Sequence, residues 1–357
     1  MPTPLSMLLA ERIRRAGPLT VADYMQAALG HPEHGYYRTR DPLGAAGDFV
    51  TAPEISQIFG ELIGLWIADC WDGMGRPDPL RIVELGPGRG TLMADVLRTL
   101  KVVPELAADP WLVETSPVLR EAQRQRVAAR WADTLADVPA GPMILIANEF
   151  LDALPIRQFV RDGGGWRERL VTVSADGGAL EWTLGAPVGR EAAGLPAALE
   201  AARDGDVAET CPDALALAAE VAARLARGGG AALFIDYGTT ASRPGDSLQA
   251  VRAHQYQDPL AAPGDADLTA HVDFAALADA ARAAGAAVHG PAPQSLFLEA
   301  LGVFGRAQAL KRRATAAQAR EIDLAVHRLT APDQMGSLFK AIALADPSMP
   351  PPAGFAS

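Results

Sequence analysis

Cysteine is scarce, with only Cys70 and Cys211 among 357 residues. Two thiols so far apart in sequence support neither a disulfide framework nor a cysteine-based zinc site, and a reducing compartment follows. The six histidines show no metal-ligand spacing, so no metal is expected; His31 and His34 read as surface or packing residues. The string G-x-x-x-x-G-K-[ST] is missing, which excludes that type of phosphate-binding loop. Long apolar runs are missing as well. The stretch MILIA at 143–147 is among the longest and is far too short to span a bilayer. No cleavable signal pattern precedes Glu11, so the expectation is a cytoplasmic protein of bacterial type, without membrane insertion or a targeting segment. Positive charge is in deficit: the net charge is −11 and the pI about 5.1. That argues against a nucleic-acid partner, which wants a basic surface. It suits a basic target such as an arginine-bearing protein segment, although many proteins are simply acidic.

What is present is alternation. Apolar strands are expected at 80–85, 111–114, 143–147 and 231–235, with helical patterns between them. Apolar strands alternating with helices imply a parallel sheet covered on both faces, an α/β fold. The chain exceeds a typical single domain, so insertions or two lobes are expected. Residues 1–75 read as a helical region with a covering loop. The first part of the core is 76–155, an inserted lobe with a hairpin at Gly163–Gly165 is 156–211, and the rest of the core is 212–345. A second, irregular insertion falls at 238–270. A helix is expected over 53–71, and residues 346–357, rich in proline, read as a disordered tail.

The most specific stretch is RIVELGPGRGTL at 81–92. A short strand runs into Glu84, and Gly86, Gly88 and Gly90 alternate with Pro87 and Arg89 before a helix starts at Thr91. Glycines there let the backbone turn sharply and approach a ligand, and the helix offers free N–H groups at its start. A dinucleotide fingerprint wants G-x-G-x-x-G, whereas the spacing here is G-x-G-x-G with an acid two residues upstream. That form resembles motif I of S-adenosylmethionine-dependent methyltransferases. An acid beside the loop favours a sulfonium and ammonium ligand and repels a pyrophosphate. A plain Gly-Pro turn between strand and helix is the alternative. The next strand ends in Glu114, followed by Thr115, where an acid can accept both ribose hydroxyls. Ser116 and Pro117 have the residue types of a helix start. Asp133 is a weaker candidate for the adenine amino group.

Three further clusters carry acids. In GDFVTAPEISQIFGE (47–61), Gly47 suits a turn, Asp48 is flanked by Phe49, and Glu54 opens a helix. ANEFLDALP (147–155) places Asn148, Glu149 and Asp152 just after a strand, where ligands of open α/β sheets bind; helix capping is the alternative. FIDYG (234–238) puts Asp236 and Tyr237 on the same rim.

Taken in order, GPLTVADYM, GHPEHGYY, GDFVTAPEISQIFGE, VELGPGRGTL, ANEFLDALP, DYG and PGDADLTAHVDF resemble the MidA-like methyltransferases, a family that includes the mitochondrial complex I assembly arginine methyltransferase. The resemblance runs from about Leu5 to Phe339, including MGSLFKAIAL. Members usually carry Phe where Leu151 stands and an acid or amide near His271. The resemblance implies a class I methyltransferase (Rossmann-like) fold with a helical N-terminal region and an inserted β/α lobe. It also implies S-adenosyl-L-methionine as cofactor and methylation of a protein arginine, on a complex I core subunit in the mitochondrial case. Methyl transfer is an in-line displacement at a sulfonium carbon, so positioning dominates. Carboxylates holding the guanidinium bidentately can align one nitrogen. Glu149 and Asp152 are the candidates, with Asp48 and Glu54 as contributors. Gly47, Glu84, Gly86, Pro87, Gly88, Gly90, Glu114, Thr115, Asp133 and Asn148 are the cofactor candidates. A non-catalytic cofactor-binding assembly chaperone and a small-molecule methyltransferase are the alternatives.

Overall fold

The computed structural model describes residues 3–39 and 50–355. Chain contacts divide it into two compact units. One is Met1–Phe49, Asp152–Ala216 and Ala241–Ala276; the other is Val50–Leu151, Leu217–Thr240 and Leu277–Ser357. The first thus joins the N-terminal helices to both insertions.

Among the described residues of the larger unit, seven strands lie in one sheet. In spatial order they are Ala287–Pro293, Phe339–Ala345, Gly230–Thr239, Met143–Asn148, Leu80–Leu85, Ala108–Val113 and Arg130–Ala132. From Gly230–Thr239 to Arg130–Ala132 every neighbouring pair is parallel. Phe339–Ala345 runs antiparallel to both of its neighbours. The strand order reverses between Leu80–Leu85 and Met143–Asn148: the chain steps outward on one side of the first strand, then crosses to the other. At such a reversal the loops beyond the strand ends diverge and leave a crevice for a ligand.

The central strands are buried almost throughout, as a sheet covered on both faces requires. Helix Gln57–Gly73 packs Ile58, Phe59, Leu62, Ile63, Trp66 and Ile67 into this core. It lies close to helix Thr91–Leu100. A Cβ on Gly60 would come within 2.5 Å of the Asp95 Cβ, and one on Gly64 within 2.8 Å of the Thr99 Cβ. Glycine four residues apart therefore sets the spacing of this pair. The single helix expected over 53–71 is instead two, Ala52–Ile55 and Gln57–Gly73, because Ser56 is extended and its hydroxyl caps Ile58 N–H. A second correction concerns the tail. Residues 346–355 are not disordered: the Trp66 indole N–H donates to the Ala353 carbonyl at 3.1 Å, and Phe355 packs on Phe297 with ring centres 5.1 Å apart. Proline-rich chain without hydrophobic periodicity still docks when aromatic anchors meet it.

In the smaller unit, helix Pro4–Ala16 buries Leu5, Leu9 and Ile13. Helix Val21–Gly30, opened by a Thr20–Asp23 capping box, buries Val21, Tyr24, Met25 and Ala28. They share a core with Val171 and Leu268. An antiparallel sheet contains Arg157–Asp162 and Gly165–Val173, joined by a two-residue turn at Gly163 and Gly164, both at positive φ, the geometry that fits strand twist. The stretch 238–270, expected to be irregular, contains the strands Gln249–Arg252, Gln255–Gln257 and Asp267–Thr269.

Candidate active site

The glycine loop follows directly from strand Leu80–Leu85. Gly86, Gly88 and Gly90 have φ of +59°, +51° and +78°, the left-handed region that side chains disfavour. The Gly90 N–H donates to the Pro87 carbonyl at 2.7 Å, closing the turn. Gly90 then serves as N-cap of Thr91–Leu100. Gly86 meets a further demand: a Cβ there would lie 2.5 Å from Cδ2 of Phe150. The Phe150 ring occupies the space a side chain at position 86 would take.

Three acceptors sit at the carboxyl ends of three adjacent strands. Glu84 is 3% exposed, and burial pushes its carboxyl up to about 8 against the pull of the Met93 N–H. Its Oε2 has no hydrogen-bond partner, and neither has Oδ1 of Asn148, itself buried at the end of Met143–Asn148. Glu114 accepts from the Ser116 N–H at 2.7 Å, and burial raises its carboxyl above the usual range. The open buried acceptors of Glu84 and Asn148 beside a glycine loop fit a ligand bringing hydrogen-bond donors such as an ammonium group. They do not fit a pyrophosphate, which brings acceptors only.

Gln123 was not expected from sequence. It is 0% exposed. Its amide N–H donates to the Gly88 carbonyl at 2.7 Å, another contact reaches Glu114 Oε2 at 3.5 Å, and its Oε1 accepts from the Trp131 indole at 2.8 Å. One side chain therefore ties the glycine loop to Glu114. A polar residue on the inward face of the amphipathic helix Pro117–Arg126, beside buried Leu119, was the available signal.

The turn after Met143–Asn148 carries Glu149 at φ +50°, a left-handed non-glycine residue. Such strain persists only where the surroundings enforce it. Glu149 Oε1 accepts from the Ala52 N–H at 2.9 Å and from Asn148 Nδ2 at 3.1 Å. The structure therefore brings Glu149 to the start of the short helix that carries Glu54. The Glu54 carboxylate turns elsewhere: it accepts from the Thr91 hydroxyl and lies 3.6 Å from Arg126 Nη1. Asp236, 1% exposed, receives the Phe150 and Leu151 N–H groups on Oδ2 at 3.1 and 2.9 Å and the Tyr237 N–H on Oδ1 at 2.9 Å. Thr115 is exposed and Pro87 buried. Asp133 is 73% exposed and pairs with Arg120 Nη2 at 2.6 Å. Asp152 belongs to the smaller unit, where it is buried and its carbonyl accepts from the Ala270 N–H at 2.9 Å. In that unit the Tyr37 hydroxyl donates to buried Asp267 at 2.8 Å. Gly47 and Asp48 lie outside the described residues.

Comparison with known proteins agrees with this geometry. Residues 62–292 match a family of S-adenosyl-L-methionine-dependent methyltransferases. The protein arginine methyltransferase NDUFAF7 homolog, mitochondrial, of Drosophila melanogaster is 37% identical over 371 residues, covering 95% of this chain and 84% of that protein. Protein arginine methyltransferase NDUFAF7, mitochondrial, of Mus musculus is 37% identical over 373 residues, covering 96% and 84%. Among solved structures, a protein from Burkholderia thailandensis bound to S-adenosyl-homocysteine superposes with a TM-score of 0.86 at 30% identity, covering 99% of this chain and 96% of that chain. The relatives' names overturn the expectation of a cytoplasmic protein, since these proteins are mitochondrial. Composition and short apolar runs bear on bilayer crossing and not on which aqueous compartment a chain occupies; no described helix is long and apolar enough to cross a membrane. The fold, the acceptor-lined glycine loop and these similarities converge: the chain belongs to this family of S-adenosyl-L-methionine-dependent methyltransferases.

Proposed function

We propose that this protein methylates an arginine side chain of a protein substrate, with a respiratory complex I subunit as the first candidate. The relatives named as arginine methyltransferases support the acceptor class, and the NDUFAF7 relatives make complex I the place to look. The observation that carries the reading is Glu149: a carboxylate held in a strained conformation at the strand-end rim, beside the cofactor acceptors. Bound S-adenosyl-L-methionine supplies an electrophilic methyl group on sulfonium.

The chain's own residues do the positioning. Glu84, Asn148 and Glu114 hold the cofactor through its ammonium and ribose groups, the glycine loop admits it, and Gln123 fixes loop and acid together. Thr115 and Asp133 stay candidates from sequence for the adenosine end. Glu149 holds the guanidinium by charge-assisted hydrogen bonds, which localise its charge and turn one nitrogen toward the methyl donor. Asp152, three residues on in the chain, stays a candidate from sequence. Glu54 supports the start of the cofactor helix through Thr91, and Gly47 and Asp48 stay candidates from sequence.

The test is incubation with radiolabelled cofactor and a cell extract, followed by mass spectrometry of the labelled chain. Methylarginine in one protein is expected, lost in Glu149→Gln while S-adenosylhomocysteine still binds. Label on a small molecule, on another residue type or on nothing would refute the reading, as would unchanged transfer by Glu149→Gln.

A further inference from the structure

We infer that Asp236 is a positioning residue for the cofactor site: its carboxylate locks the turn at Glu149–Leu151, and through Phe150 the glycine loop, into the conformation that takes S-adenosyl-L-methionine. The inference concerns the cofactor and does not depend on which acceptor is methylated. Asp236 sits near the end of the neighbouring parallel strand Gly230–Thr239, in register beside the turn: Ile235 pairs with Asn148, and the Glu149 N–H donates to the Ile235 carbonyl at 2.9 Å. From there its two oxygens collect three main-chain N–H groups, those of Phe150, Leu151 and Tyr237.

A buried carboxylate receiving several amides is a strong, directional clamp. Its effect is read in the two residues it constrains. Glu149 stays left-handed at φ +50°, a conformation a non-glycine residue leaves when it is free to do so. Phe150 stays against Gly86, filling the place where a side chain would start. Gly86 is itself tied to the next strand by its N–H to the Val113 carbonyl at 3.1 Å. Asp236, Phe150 and Gly86 thus form a continuous chain of contacts from a third strand to the cofactor loop. Relaxing the clamp frees Glu149 to turn right-handed, withdraws the ring and leaves the loop underdetermined. Asn at position 236 offers one acceptor and points an NH2 group at N–H donors, which is the perturbation required.

The test measures S-adenosylhomocysteine affinity by titration calorimetry, with thermal unfolding alongside, on the whole chain. Asp236→Asn should bind at least tenfold more weakly. The comparison is Glu61→Gln, a buried acid of the same unit bridged by Arg98 and Arg306, which should lower the unfolding midpoint and leave the affinity within about twofold. Because Asp236 acts through Phe150, the double variant Asp236→Asn with Phe150→Leu should bind no more weakly than the weaker single variant. An Asp236→Asn protein with wild-type affinity and only a lowered midpoint would overturn the inference. So would losses that multiply in the double variant.

Discussion

Replacing Gly86 by alanine separates two demands that coincide at one position. Its φ of +59° costs a non-glycine residue about 1–2 kcal/mol. The added Cβ would stand 2.5 Å from the Phe150 ring, and overpacking of this sort costs about 1–3 kcal/mol. Together they come to about 2–5 kcal/mol. The ligand-free loop can shed this cost by moving away from Phe150. Cofactor binding has to restore the native loop, so the cost appears as lost affinity. At 1.4 kcal/mol per tenfold, S-adenosylhomocysteine should bind at least about 30-fold more weakly. Gly163→Ala is the control: φ is +56° there, with no heavy atom within 4 Å of the added Cβ. It carries the conformational cost alone, in the hairpin turn, and should leave affinity unchanged. Titration calorimetry of the three proteins decides the matter. A Gly86→Ala protein that binds within about threefold of wild type would refute the coupling of ring and loop.

Three further outcomes are expected. Glu114→Gln should weaken S-adenosylhomocysteine binding by about 10- to 100-fold, from loss of a charged hydrogen-bond acceptor, while an adenosine analogue lacking ribose hydroxyls should not distinguish the variant from wild type in the same titration. Glu84 has a folded-state value near 8 and an ordinary unfolded one, so the folded chain holds the extra proton between them. The stability it contributes is full below about pH 4.5 and is lost as pH rises toward 8; in thermal melts Glu84→Gln should therefore gain on wild type steadily from pH 5 to 8, and a constant difference would refute the assignment. Gln123→Glu places a carboxylate against the Gly88 carbonyl and Glu114; cofactor KM should rise at least tenfold, with kcat at saturation nearly kept.

Legibility differed from residue to residue. The glycine loop was readable because its turn must be made of residues that tolerate positive φ, and Glu114 because a strand end falls at a fixed distance along a βαβ unit. Strands 80–85 and 143–147 were readable from their apolar composition, which a doubly covered sheet demands. The break at Ser56 was not, since the flanking apolar residues keep helical spacing on either side of it. Gln123 was not either, and for Asp236 the place on the strand-end rim was readable but its partners were not. Their partners lie 35 and 86 residues away, and a buried amide or acid in a helix or strand pattern does not announce which carbonyl or N–H it will meet. The order of the last two strands, with Phe339–Ala345 inserted antiparallel beside Gly230–Thr239, likewise depends on which edge stays open once the first five strands have paired.

Local chemistry thus determined the α/β class and the loop for a cationic nucleoside, because backbone sterics and strand burial act within a few residues. Tertiary structure decided the rest. It strained Glu149, seated Phe150 on Gly86, fixed the loop through Gln123 and turned Glu54 toward Thr91 and Arg126. Each of these depends on hydrogen bonds and packing between segments that meet only when the sheet has closed its order, and no local pattern encodes that meeting.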